Sequence, residues 1–397
     1  MVLYILLTIY LLLVIGVLLW MAVIGARFKG TLGHAHPPAE LPLVTTIVPA
    51  RNEERNIGRC ARGLVHQDYP NLELIFVDDD SKDATPDILA RVAAQDPRVK
   101  VVNTGGKPDG WNGKQWACHS GAVQASGEWL CFMDADTYAE PGLITRTLAF
   151  AISQGIDMLT LQPWYEMQGL WERIVLPAGL PPLLLVFPPD KVNDPNSPLS
   201  MANGQFILIR REVYNAVGGH EAIRQRMMDD FSLAENVKGA GYRLYVVDGM
   251  DVMRVRLYRN LREIRSGALK AAVEVSGGWR ASTLALIANT LINILPAILL
   301  AWAFFSGERQ AALLLGALVL FQVFYYGAIR MVGFRMPPWT AITYPVGNLI
   351  VNAILLDGMF RVATRRRITW KDRDVMGAPA ITLPIKRTDD QPGQGQA

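Results

Sequence analysis

Trp129-Leu130-Cys131-Phe132-Met133-Asp134-Ala135-Asp136 is a short apolar run that ends in two carboxylates separated by one residue. Read as a strand from Trp129 to Asp134, it delivers both acids to one end of a sheet. Residues two apart in extended chain point the same way, so both oxygens can reach one hard divalent cation shared with a diphosphate. Three earlier runs have the same β-rich character, Val44 to Val48, Leu72 to Asp78 and Val99 to Asn103, and helical patterns fill the intervals. This alternation predicts a mainly parallel α/β sheet with helices on both faces, whose ligands bind beyond the carboxyl ends of the strands. The first strand leads into Pro49-Ala50-Arg51-Asn52-Glu53-Glu54, where Pro49 is expected to stop the strand and Asn52 to cap the next helix. The second ends in Asp78-Asp79-Asp80-Ser81, a carboxylate cluster that is costly without a ligand, a metal or hydrogen-bond donors. One of these three acids could instead cap the helix expected near Ala84.

Composition narrows the class. The 397 residues leave room for a soluble core plus membrane segments, and the hydrophobic residues, 51% of the chain, concentrate at its two ends. A formal charge of +3 without Lys/Arg runs interleaved with aromatics argues against a nucleic-acid partner. Cys60, Cys118 and Cys131 lack CxxC spacing, which suggests neither a zinc site nor a disulfide framework and fits a reducing compartment.

From Leu3 to Ile24 the chain is almost wholly apolar and long enough to cross about 30 Å of hydrocarbon. A signal peptide would need a basic start and a cleavage site; here Arg27 and Lys29 follow the run, so residues 1–29 read as an anchor that leaves the next domain in the cytoplasm. Thr283 to Phe305 and Ala311 to Ile329 read as a helical hairpin closed by Ser306-Gly307-Glu308-Arg309. Ala341 to Phe360 is weaker, carrying Pro345, Asn348, Asn352 and Asp357, which are costly in lipid unless they face other helices or a polar cavity. If it spans, Arg365-Arg366-Arg367 falls outside, against the charge rule; either the stretch is re-entrant or the rule fails. The expected organisation is an anchor at 1–29, a soluble domain at 43–251, an amphipathic or interfacial linker at 252–280, membrane helices at 281–362 and a polar tail at 363–397 whose end is disordered. This describes a multi-pass protein of the cell (inner) membrane. Ile174 to Pro189, apolar but proline-rich and too short to span, is expected at the membrane surface, with a buried loop as the alternative.

Taken in order and spacing, Val48-Pro49-Ala50-Arg51-Asn52-Glu53, Val77-Asp78-Asp79-Asp80-Ser81 and Asp134-Ala135-Asp136 resemble the family 2 glycosyltransferases of the GT-A fold. The resemblance continues through Asn203-Gly204-Gln205-Phe206, Arg210-Arg211-Glu212-Val213, Gly218-Gly219-His220 and Met228-Asp229-Asp230-Phe231-Ser232-Leu233. Lys107-Pro108-Asp109-Gly110-Trp111-Asn112-Gly113-Lys114-Gln115-Trp116-Ala117 and Arg367-Ile368-Thr369-Trp370-Lys371 resemble the branch that includes hopene-associated and carotenoid glycosyltransferases. The resemblance implies a Rossmann-like GT-A domain, an inverting hexosyltransferase and, as partners, a nucleotide-sugar donor (a UDP-sugar first), a membrane lipid acceptor and the bilayer. It further implies that Pro49, Ala50, Arg51, Glu53, Asp79, Lys114 and Asp134 bind the donor. Asp136 with Asp134 would hold Mg2+ or Mn2+, and Asp230 would be the catalytic base. Gly204, Gln205 and Asp229 would lie on the acceptor side. The family's Glu-Asp-x-x-Leu motif is altered here, Asp229 standing in place of the Glu.

Other readings stay open at this point. A polyprenyl-phosphate glycosyltransferase or a polysaccharide synthase shares the motifs, but the stretch Asp251 to Arg280 lacks the Gln-x-x-Arg-Trp of a processive synthase. A nucleotidyltransferase would carry a Gly-rich basic loop where Pro49 to Glu53 stands, and a catalytically silent membrane scaffold would have lost its carboxylates. Lys114 could be a solvated lysine at a helix start, His119 and His220 are expected at a helix surface and a turn, and Trp111 and Trp116 could stack on a ligand or pack under a loop.

Overall fold

The computed structural model describes residues 2–26, 31–33, 40–226, 228–275, 279–364, 369–370 and 373–374. Most of the tail at 363–397, including Arg365-Arg366-Arg367, lies outside them. The soluble part is built on β1 (Val44–Ala50), β2 (Leu72–Asp78), β3 (Val99–Asn103), β4 (Trp129–Met133), β5 (Thr137–Ala139), β6 (Met158–Gln162), β7 (Trp164–Tyr165), β8 (Phe206–Arg210), β9 (Leu244–Asp248) and β10 (Met253–Val255). Seven of these form one sheet in the order β3-β2-β1-β4-β8-β6-β9, in which only β8 runs against its neighbours. This is the mainly parallel sheet expected. Its central strands are near-continuous apolar runs because helices cover both faces. Along β2, Leu74 and Phe76 join the core on one face with Ile57, Leu64 and Leu148, whereas Ile75 and Val77 join Ala117, Leu130 and Val237 on the other.

Three local expectations are corrected. Pro49 does not stop β1: the strand runs on to Ala50, with Pro49 opposite Val77 of β2. Pairing with β4 has already ended at Ile47, so the missing proline N–H costs no ladder bond. Asn52 does not cap a helix. It adopts φ 51°, and its side-chain oxygen accepts the Lys82 N–H at 2.8 Å, while the helix Ile57–Val65 begins after Asn56. β4 ends at Met133, and Asp134 opens a turn in which Thr137 donates to the Asp134 carbonyl from both its N–H (3.2 Å) and its hydroxyl (2.7 Å). Both acids still emerge half-exposed on either side of buried Ala135, but a turn delivers them rather than an extended strand.

A second, smaller sheet, β5-β10-β7, stands beside the carboxyl end of β4. β7 connects the soluble part to the apolar helices: Trp164 Nε1 donates to the Phe334 carbonyl at 3.3 Å, and the Tyr165 ring lies 6.5 Å from that of Phe334.

Among the described residues, four helices are long and apolar enough to cross a membrane: Tyr4–Ala26, Ser282–Phe305, Arg309–Phe334 and Pro338–Arg361. They pack as one bundle, Leu11, Val14 and Leu18 of the first meeting Ala303, Leu315 and Leu318 of the hairpin and Tyr344 of the last. The second helix holds a π-helical turn, Thr290–Ile294, just before Pro296. The Leu295 N–H bonds Thr290, which frees the Leu291 carbonyl, and Pro296 has no N–H for Ile292. Both carbonyls find side chains from other helices, the Tyr10 hydroxyl at 2.5 Å and Gln322 Nε2 at 2.6 Å. The polar residues that weakened the last span are met in the same way. Asn352 bonds Asn289 and Thr290, Asn348 bonds the Tyr344 carbonyl, and Asp357 pairs with Arg265 and Arg361.

The proline-rich stretch forms the helices Leu170–Gly179 and Pro181–Val186. Ile174, Val175 and Leu176 are buried against Ile264 and Leu269 of the helix Leu261–Val275 and against Ile354 of the last span. The contact is close enough that a Cβ on Gly347 would stand 2.4 Å from the Ile174 carbonyl oxygen.

Candidate active site

The loops that follow β1 and β2 are stitched into one wall. The Asn52 N–H donates to Ser81 Oγ (3.0 Å), Glu53 N–H to Thr85 Oγ1 (2.8 Å) and Glu54 N–H to Asp83 (3.0 Å). Arg51 Nη1 donates to the carbonyls of Asp79 (2.5 Å) and Asp80 (3.2 Å), so its guanidinium ties the two loops together. Asp79 is buried at the junction, its N–H on the Ala50 carbonyl and its carboxylate on Thr104 Oγ1. Glu53 turns its carboxylate to Asn56 Nδ2 at 2.8 Å. Asp78 accepts from Ser81 and Asn103, and none of the three acids caps the following helix, Thr85–Ala93, whose N-cap position is Ala84; Asp83 accepts the Thr85 N–H at 3.0 Å.

Lys114 lies in the first turn of the helix Gly113–Gln124 and is not a solvated surface lysine. Its Nζ stands 2.8 Å from Asp134 and 3.1 Å from Asp229. Burial alone would lower its pKa, but the two carboxylates hold it well above the ordinary value. The loop that carries it is fastened to the chain ahead of Asp229: Asn112 Nδ2 (2.8 Å) and Gln115 Nε2 (2.6 Å) both donate to the Arg226 carbonyl. Trp111 and Trp116 pack on one another edge to face, with centroids 5.1 Å apart and His119 stacked on Trp116.

Asp229 and Asp230 open the helix Asp229–Gly239, where the positive end of the helix dipole favours negative charge. The Asp230 carboxylate accepts the N–H groups of Gly204 and Phe231, each at 2.9 Å. Burial, and then the charge of Asp229, push its pKa from 3.8 up to about 6, against the pull of Lys114 and of those donors. A carboxylate of that strength is ionised at neutral pH yet basic enough to take a proton. A Cβ on Gly204 would be 3.1 Å from both Asp230 Oδ2 and Lys114 Nζ, so the glycine leaves space where these two groups converge. Beside it, Gln205 is buried with its Oε1 lacking a hydrogen-bond partner among the described residues.

Asp134 and Asp136 are the residues that could hold a cation. Both are half-exposed hard oxygen donors on one turn, the type that Mg2+ and Mn2+ take. Two tyrosines that sequence reasoning missed lie within reach of the Asp136 charge. Burial pushes the Tyr165 phenol up to about 12 despite hydrogen bonds from Gln162 and Asn203, with a further contribution from the charge of Asp136; the Tyr258 phenol also feels that charge. Nothing in the dipeptide strand β7 or in the chain around Tyr258 marks them beforehand, since only tertiary packing brings them to Asp136.

Residues 45–218 match the family Glycosyl transferase family 2. Over that stretch the chain is similar to a family 2 glycosyltransferase domain. Among curated relatives, the 4,4'-diaponeurosporenoate glycosyltransferase of Staphylococcus aureus strain USA300 is 26% identical over 259 residues, which is 64% of this chain and 68% of that protein. The protein of the same name from strain MRSA252 is 25% identical over 260 residues, with the same coverage. These matches bear out the carotenoid branch of the family. Among solved structures, the mannosyltransferase PcManGT from Pyrobaculum calidifontis, in complex with GDP-Man and Mn2+, matches with a TM-score of 0.55 at 19% identity, covering 91% of this chain and 98% of that one. The likeness is one of fold, and its coverage takes in apolar helices as well as the sheet.

Proposed function

We propose that the protein is an inverting, non-processive hexosyltransferase that moves a sugar from a nucleoside diphosphate, UDP first, to a lipid acceptor at the cytoplasmic face of the cell membrane. The observation that carries this reading is the convergence of Asp134, Lys114, Asp229 and Asp230 at the carboxyl edge of the sheet, with the base candidate Asp230 raised to about 6. In this account the wall of Pro49, Ala50, Arg51, Glu53 and Asp79 receives the nucleobase, and Lys114 meets the diphosphate. Asp134 and Asp136 would hold Mg2+ or Mn2+, with Asp136 the stronger ligand because Asp134 already balances Lys114. Such an ion, when bound, supplies countercharge to the departing diphosphate. Asp230 takes the proton of an acceptor hydroxyl as that oxygen attacks the anomeric carbon from the face opposite the leaving group, a contribution on the order of 10²–10⁴ in rate. Gly204 leaves room for the approach, and Gln205 Oε1 offers an acceptor for a substrate hydroxyl.

An apolar acceptor follows from the four helices fastened to the domain through β7 and the helix Leu170–Gly179, since a nucleotide sugar by itself needs no membrane. The relatives' name, which ends in a carboxylate, favours a second reading in which an apolar acid is glycosylated. A carboxylate is ionised at neutral pH and would not need Asp230, so the raised Asp230 supports the hydroxyl. The test is hydrolysis of UDP-glucose by the detergent-solubilised chain with and without Mn2+. Metal-dependent release of UDP that a hydroxyl acceptor stimulates, the stimulation being lost in Asp230→Asn, is expected; no release from any nucleotide sugar would defeat the reading.

A further inference from the structure

One motif, Tyr214 followed by Gly218-Gly219-His220, has no role in the mechanism above, and its histidine is not at a surface turn. His220 is 1% exposed, packed between the Lys114 helix and Phe132, whose ring centroid is 4.7 Å away. The Tyr214 hydroxyl oxygen accepts the His220 backbone N–H at 3.1 Å and lies 3.0 Å from Nδ1 of the same residue. Gly219 makes this possible. It adopts φ +50° and presses its backbone on the phenol so closely that a Cβ would stand 2.4 Å from Tyr214 Cζ.

Proton counting fixes the tautomer. Burial pushes the imidazole down to about 4 and the phenol up, so both are neutral. The arrangement that uses every proton has the phenol donating to Nδ1, which leaves the ring's single N–H at Nε2. Around the imidazole, a ring nitrogen, Cys118 Sγ and an Asp229 carboxylate oxygen, all buried, lie within 4.8 Å of one another. The thiol is pushed well above its ordinary value by burial and then by Asp229, so it too is neutral. Asp229, with a carboxylate oxygen within 4.8 Å of a ring nitrogen, is thus the charged group facing the imidazole, and its Oδ2 is 3.1 Å from Lys114 Nζ.

We propose that His220, held in the Nε2–H tautomer by Tyr214, is a positioning residue for the donor site: it fixes the Asp229 carboxylate, which in turn fixes the Lys114 ammonium toward the diphosphate. This rests on the donor-site role of Lys114 given above. The test is the Kd of the full-length, detergent-solubilised protein for UDP or GDP, whichever the parent binds, by calorimetry with Mn2+. His220→Ala weakens binding about tenfold, the cost of taking a polar neighbour away from a buried charge. His220→Gln, which can keep an N–H near the Nε2 position, recovers most of the loss and His220→Asn does not. Tyr214→Phe, which frees the tautomer while keeping the ring, weakens binding several-fold. In an Asp229→Asn background His220→Ala costs less than about twofold, because the two changes act on one interaction. Equal losses for Gln and Asn, an undiminished His220→Ala effect in that background, or stoichiometric zinc on the purified protein would overturn the proposal. Lys114→Ala separates the two levels: unchanged nucleotide affinity there refutes the donor-site role itself, whereas a loss there without one in His220→Ala refutes only the positioning role.

Discussion

Replacing Asp229 by Asn should move the acid limb of the transfer rate to lower pH. Asp230 works as a base only when ionised, so kcat/KM falls as pH drops through its pKa in the free enzyme. That pKa stands at about 6, raised first by burial and second by Asp229. Asparagine removes the second cause and leaves the first. Two charges about 4 Å apart interact by several kcal/mol at the effective dielectric of a protein, but Asp230 is half-exposed and the buried Asp229 is already paired with Lys114, so a fraction of that remains and the expected shift is about one pH unit downward. Lys114, released from one of its two carboxylates, acts in the same direction by stabilising ionised Asp230. The assay is kcat/KM for labelled donor and saturating lipid extract in detergent between about pH 4.5 and 8, with donor affinity measured separately at each pH because Lys114 is also disturbed. A limb that stays near 6, or moves upward, would refute the assignment of that limb to an Asp230 raised by its neighbour.

Asp136→Ala is expected to abolish transfer with the fold retained, checked by thermal unfolding in detergent, and full activity of this variant in EDTA would defeat the metal assignment. Gly347→Ala should lower stability by roughly 1–3 kcal/mol, because its Cβ meets backbone at Ile174 rather than a side chain that can swing away; an unchanged melting temperature would mean that the helix Leu170–Gly179 yields at no cost. For topology, a cysteine introduced at Asp83 should be protected from an impermeant thiol reagent in intact cells and one at Gly307 labelled, and equal labelling would contradict a cytoplasmic site.

Strands β1 to β4 were legible because a sheet covered on both faces writes itself as runs such as Leu72 to Val77, bounded by the polar groups that its ligands need. What misled was local chemistry judged without neighbours. Pro49 reads as a stop, yet β4 has withdrawn from β1 by that point and the proline costs nothing. Asn52 reads as a cap, but its side chain is claimed by Lys82 thirty residues on. His220 reads as a turn residue because its neighbours are glycines, and those glycines are what bury it on Tyr214. Asp134 and Asp136 reach the site edge as read, by a turn that the two-residue spacing does not distinguish from a strand. Tyr165 left no trace at all, since β7 is two residues long and owes its place to β10. In the apolar helices, length and hydropathy were visible from sequence, but the pairing of Tyr10 and Gln322 with the carbonyls freed around Pro296 exists only in three dimensions.

The most direct test of the central claim is the product itself. Purified protein in detergent is supplied with sugar-labelled nucleotide donor, Mn2+ and lipids extracted from the host membrane, and the label is followed into the organic phase and its anomeric configuration read by NMR. A labelled lipid with the anomeric configuration opposite to that of the donor is expected, formed by the parent and reduced on the order of 10²–10⁴-fold in Asp230→Asn. A retained configuration, a labelled product confined to the aqueous phase, or full lipid labelling by Asp230→Asn would contradict it.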